Sequence, residues 1–223
     1  MAPATDRPFL DCRPLNTLPA TVSGFALVVA AALTLSAYAL GAQSAQMALH
    51  IALMNVAAPL LSAALAAKLP GILGRPSTLW LAAGAQLILL WAWHIPCLQH
   101  AAMASQALHT LMQVTLFAAA FIFWSAIVLL PAAARWQGIA ALLLTGKLAC
   151  LLSALLIFSP RALYDIAGHA GISLDDQQLA GLLMITVCPI SYLIAAVVIA
   201  TQIVGYAARA PQLPNHVDAR IDA

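Results

Sequence analysis

Six histidines and six methionines carry most of the chemistry that this chain offers. A neutral imidazole is the commonest side-chain metal ligand, and a thioether suits Cu(I), a soft cation that accepts low coordination. Met47, His50 and Met54 follow one another at spacings of three and four, which on a helix aims all three along one face. Met112 stands three residues after His109, and His94 lies between these two groups in the chain. A cluster of His50, His94, His109, Met47, Met54 and Met112 would hold copper. Zinc is a poorer match, because no carboxylate or paired thiolate stands close by. Two of the three imidazoles would alternatively serve as axial ligands of a b-type haem, the chemistry of an electron carrier. A bland reading stands beside both: methionines at helical spacing pack an apolar bundle, and histidines near a membrane interface bond a carbonyl or a headgroup.

The elements that must position these residues follow from the composition. Charged residues make up 7% of the 223 residues, against about 25% in an average soluble domain. Apolar residues make up 64% and the mean hydropathy is +0.97. Such a surface faces the lipid bilayer, and a soluble enzyme, a secreted disulfide scaffold and a disordered chain are excluded. A net charge of +2 is too thin for the basic stripe that nucleic acid requires. The chain is not expected to be an enzyme.

Charge-free runs predict the membrane crossings. Pro14–Ala67 and Pro76–Ala134 contain no Asp, Glu, Lys or Arg, and each is long enough for two helices of roughly 20 residues. The first run turns at Gly41–Ser44, and the second breaks at Gln99–Gln106. Trp136–Pro160, interrupted by Lys147, and Gln177–Ala208 supply one span each. The expected fold is an all-α transmembrane bundle of six helices, about 20–41, 46–67, 77–98, 106–130, 136–158 and 180–206. Period-2 alternation, the mark of a membrane barrel, is absent. Arg7, Arg13, Lys68, Arg75, Arg135, Arg209 and Arg220 fall on one side of this topology and Arg161 on the other, which predicts cytoplasmic termini. Residues 1–19 and 209–223 read as cytoplasmic tails, the second polar and disordered, flanking one membrane domain over 20–208. The first span resembles a cleaved signal peptide in its small-residue end, yet its apolar core exceeds the usual length.

On this topology His50, His94 and His109 each lie roughly one turn, about 5 Å, below the outer interface. His100 falls in the loop after the third span, His169 in the long loop Ser159–Leu179, and His216 in the tail. Cys12, Cys97, Cys150 and Cys188 show no paired spacing and read as packing, with Cys97 alone near the outer histidines. All seven acids are aspartates and none lies inside an expected span, which argues against a proton-coupled carrier. Lys147 is thereby left deep in the fifth span without an acidic partner. Asp176 stands at the start of the sixth span, suited to capping that helix. Alternatively, Asp176 with Gln177 or Gln178 orients His94 or His109 by hydrogen bonds.

Several segments together resemble the CtaG-type cytochrome c oxidase assembly factors. Gln46 to Met54, followed by Ala57-Ala58-Pro59-Leu60-Leu61, is similar to that family's H-M-x-x-H-M segment with its A-P-L-L continuation. Trp93-His94-Ile95-Pro96 matches W-H-x-P, and Leu108-His109-Thr110-Leu111 the start of L-H-x-L-E-H. Phe158-Ser159-Pro160-Arg161-Ala162-Leu163-Tyr164 resembles F-A-P-x-P-L-Y, and Asp176-Gln177-Gln178-Leu179-Ala180-Gly181 reproduces D-Q-Q-L-A-G in full. The chain departs from the pattern at Gln46, Met112 and Gln113, which stand where the family has His, Glu and His. The resemblance implies a bacterial inner-membrane protein that matures a haem-copper oxidase, handles copper for its active centre, and associates with an oxidase subunit or other assembly proteins. A ligand-free assembly scaffold is the alternative that the departures leave open.

Overall fold

The computed structural model describes residues 41–164 and 173–209, and among these residues it contains helices and no strand. Helix α1 runs over Ala42–Lys68, α2 over Pro76–Trp93, α3 over Pro96–Ala104, α4 over Gln106–Leu129, α5 over Arg135–Phe158 and α6 over Leu174–Arg209. Four of these, α1, α4, α5 and α6, are long and apolar enough to cross a membrane. Helices α2 and α3 pass the same test only as a pair, bent by 73° at the break between them, so the described residues hold four candidate spans, or five if this pair is one broken span. The span expected over 20–41 and both tails up to residue 19 and from residue 210 lie outside the described residues, as does most of the loop holding His169.

Three boundaries differ from expectation. Helix α1 begins at Ala42, so Gly41–Ser44 is a helix start and not a turn. Helix α2 ends at Trp93, and the expected loop around His100 is instead the short helix α3. The cause is Pro96, which has no N–H for the turn before it and sits well in the first turn of a new helix. Helix α6 begins at Leu174, because Ser173 caps it, accepting a hydrogen bond from the Asp176 amide at 3.1 Å.

Inside α1, residues Ala52–Ala57 form a π-helical turn. Pro59 explains it. With a wide turn in place the Ala58 amide bonds the Leu53 carbonyl, and the next donor in the series would be Pro59, which has none. The Met54 carbonyl so orphaned accepts from the Trp124 indole at 3.0 Å. The turn also presents Asn55, whose amide donates to Cys188 Sγ at 3.3 Å and whose carbonyl accepts from Ser191 at 3.1 Å.

The long helices pack as a ring in the order α1, α4, α2, α5, α6 and back to α1. Phe123, Trp124 and Tyr192 meet in its centre, with Trp124 and Tyr192 ring centroids 5.7 Å apart. Gln86 of α2 donates to the Tyr192 hydroxyl at 2.8 Å across the ring. Helices α5 and α6 approach most closely, and small residues permit it. A Cβ on Gly181 would stand 2.8 Å from Ile157 Cγ1 and 3.0 Å from the Ser153 carbonyl, and one on Gly146 would stand 3.2 Å from Tyr192.

Gly181→Ala is therefore expected to lower stability in detergent by about 1–3 kcal/mol through overpacking. Gly84→Ala, where nothing lies within 4 Å, should be neutral or mildly stabilising by helix propensity. Thermal unfolding of the two purified variants checks the contrast.

Candidate functional site

Helix α2 ends in a tightened turn, its His94 amide bonding the Trp91 carbonyl at 3.1 Å. That leaves the Leu90 carbonyl without its helical donor, and the His94 ring supplies one: Nδ1–H donates to Leu90 O at 2.7 Å. The His94 carbonyl, outside both α2 and α3, accepts from the Tyr164 hydroxyl at 3.2 Å. Burial holds the Tyr164 phenol well above its ordinary pKa, so this donor stays protonated. His94 is thus fixed through its backbone and through one ring nitrogen.

His50 comes from the opposite wall. It lies eight residues, about 12 Å, below the start of α1, deeper than the single turn expected because α1 begins earlier. Its Nδ1–H donates to Gln113 Oε1 of α4 at 2.9 Å. The rings of His50 and His94 are both buried and their centroids lie 6.1 Å apart. Of the three imidazoles expected to share one level, His50 and His94 are the pair whose rings meet.

Because an amide oxygen and a backbone carbonyl each accept from Nδ1, both rings carry their proton there and keep a lone pair on Nε2. Neither Nε2 atom has a hydrogen-bond partner among the described residues, although both are buried. His50 and His94 line a cavity of about 20 Å³ together with, among others, Met47, Met54, Met184 and Cys188. The walls thus offer imidazole, thioether and thiol, soft or borderline donors, beside Asn55 and Tyr192, whose polar atoms bond Cys188, Ser191 and Gln86. Among the described residues no three His, Cys, Asp or Glu side chains are arranged to hold a metal ion.

His109 and Met112 lie off the cavity wall. His109 is half-buried, and its Nε2 accepts from Gln113 Nε2 at 3.5 Å, so that Gln113 bridges the two histidines. Met112 Sδ accepts from Gln46 Nε2 at 3.3 Å. His100 is half-buried on α3, and Lys147 is exposed on the far side of α5. Met184 and Cys188 were not anticipated. Their spacing of four, on one face of an otherwise apolar helix, is the signal that would have found them.

The segment Asp176-Gln177-Gln178 acts as a clamp. Asp176 does not cap α6, its own helix. Its carboxylate accepts from the Gln43 and Ser44 amides at 2.9 and 3.0 Å and from the Ser44 hydroxyl, and so caps α1. A Cβ at Gly41 would collide with that carboxylate, which accounts for the glycine. Gln177 donates to the Leu156 carbonyl at 3.1 Å and accepts from the Leu163 amide at 2.6 Å, while Gln178 donates to the Ile157 carbonyl at 3.2 Å. These bonds satisfy the free C-terminus of α5, and none goes to His94 or His109. Beside the clamp, Gln99 of α3 donates to Gln43 at 3.4 Å and ties α3 across the top of α1.

Fold and site together define a helical bundle of membrane-span length built around a buried imidazole pair. The family model of the cytochrome c oxidase caa3 assembly factors matches residues 15–205, and the chain belongs to that family. No curated protein and no solved structure matches the chain.

Removing the clamp carboxylate is expected to cost about 1–2 kcal/mol, as for a lost helix cap. Asp176→Ala and Gly41→Ala should each lower the unfolding midpoint in detergent, and the double variant should cost less than the sum, since both break the same contact. Additive losses would show that the two residues act separately.

Proposed function

We propose that this assembly factor receives or presents Cu(I) during maturation of a haem-copper oxidase, from within a bacterial plasma membrane and with both termini in the cytoplasm. The metal is cargo, and the role is non-catalytic. One observation carries the reading: two buried imidazoles, each with Nδ1 fixed elsewhere and Nε2 unpaired among the described residues, line one small cavity with soft sulfur on its walls. An unpaired acceptor in a hydrocarbon interior is costly unless something binds it. Cu(I), tolerant of low coordination and of sulfur, suits two imidazoles and a thioether better than Zn²⁺, for which these residues offer no carboxylate.

The donors fall into two groups. His50 and His94, with Met47 and Met54, form the set proposed to hold the ion, and Met184 and Cys188 extend it from α6. Gln113 acts behind them, keeping the His50 proton on Nδ1 so that Nε2 stays free. A b-type haem fits less well. Space for about one water-sized guest beside His50 and His94 is far less than a macrocycle needs.

Metal analysis of the detergent-purified protein, loaded with Cu(I) under reducing conditions, tests the reading. About one ion per chain is expected, falling to background in His50→Ala and in His94→Ala and unchanged in His100→Ala. Gln113→Leu should weaken Cu(I) affinity by about 10–100-fold, the usual effect of losing a ligand's orienting partner. Near-zero copper in the unsubstituted protein would overturn the reading and leave a scaffold role. A Soret band after purification would favour haem instead.

A further inference from the structure

Lys147 is used by neither the clamp nor the imidazole site. It lies at the middle of α5, twelve residues from Arg135 and eleven from Phe158, or about 17 Å from either end. That distance is beyond what a lysine stem covers by snorkelling. Its side chain is exposed and points away from the ring interior. It borders a groove of about 170 Å³ between α5 and α6, flanked by Leu143 and Leu193, which are themselves 47% and 56% exposed. The groove has physical causes. Gly146 contributes no side chain to it, and Pro189 of α6 cannot donate to the Ile185 carbonyl one turn earlier.

A cation at mid-membrane needs a counter-charge, and such residues face a partner or a pathway. This chain cannot supply one. Of its seven aspartates, Asp175 and Asp176 begin α6, and Asp6, Asp11, Asp165, Asp218 and Asp222 fall outside every apolar run. The first expected span, within the charge-free run Pro14–Ala67, has no carboxylate to offer, and a second copy of the chain has none either. Lipid phosphates lie about 15 Å away, half the thickness of the hydrocarbon core.

We infer that the α5–α6 groove around Lys147 docks a transmembrane helix of a partner membrane protein that carries an aspartate or glutamate at mid-membrane depth. Lys147 and that carboxylate form the ion pair, and Leu143 and Leu193 pack the flanks of the incoming helix. The inference does not depend on copper, and it turns the association implied by family membership into a particular surface and a particular chemistry.

Photo-crosslinking tests it in the full-length protein in its native membrane, with a photo-reactive phenylalanine analogue at Leu143 or at Leu193. The adduct peptides are sequenced by mass spectrometry. The crosslink should fall on one transmembrane helix, within a turn of an Asp or Glu. Lys147→Leu should reduce the adduct at least tenfold and Lys147→Arg should keep it. Lys147→Asp combined with a lysine in place of the partner's acid should restore it. Because Lys147 faces outward, Lys147→Leu should unfold at an unchanged temperature, which separates lost docking from lost folding. The inference fails if the adduct is indifferent to Lys147→Leu, if it falls on lipid, on this chain or on a helix without a carboxylate, or if none forms.

Discussion

A hydrocarbon solvent offers no hydrogen bonds, so each break in a helix must be answered from within the protein. The bundle shows this at three of its interruptions. Pro59 removes the donor for the Met54 carbonyl, and the Trp124 indole of the neighbouring helix replaces it. The end of α2 frees the carbonyls of Leu90 and His94, which the His94 ring and Tyr164 satisfy. At the top of the ring, one acidic residue and two glutamines at the start of α6 serve the first amides of α1 and the last carbonyls of α5. Helices distant in sequence are thereby joined at the positions where each would otherwise be unsatisfied.

The same constraint shapes the site. A histidine inside a regular helix would find its neighbouring carbonyl already engaged. His94 ends its helix, so its ring can occupy Nδ1 on Leu90 and leave Nε2 unpaired among the described residues. His50 stays within a helix and needs an external acceptor, which Gln113 provides. The two rings reach the same electronic state by different routes, a proton fixed on Nδ1 and a lone pair on Nε2. The π turn immediately below His50 adds to this by presenting Asn55 to Cys188, which sets that thiol in the cavity wall.

Much of the architecture was legible in the sequence because lipid imposes a coarse code. Charge-free runs located α1, α2, α4, α5 and α6 to within a few residues at most ends. What failed was local. The break at Pro96 was hidden in an apolar run that reads as continuous, and the early start of α1 depends on a carboxylate 132 residues away in sequence, at Asp176 bound to Ser44. In the site, His50 and His94 were legible as candidates from residue type and spacing. Met184 and Cys188 were not, since sulfur on an apolar helix looks like packing until the ring closes around it. The role of Asp176 was misplaced for a related reason: a helix-start aspartate suggests its own helix, and only the fold shows that Ser173 already fills that position.

The departures from the family pattern are consistent with one another once placed in three dimensions. Gln46 and Met112 stand where the pattern has ionisable residues, and they bond each other. Gln113, in place of a third imidazole, spans His50 and His109. A glutamine has both an acceptor and a donor, so it can receive the His50 proton bond and still address His109, which an imidazole in one tautomer does only by committing each nitrogen in turn. Gln46, Met112 and Gln113 are therefore paired within the protein, and among the described residues the buried imidazole nitrogens without a hydrogen-bond partner are the Nε2 atoms of His50 and His94.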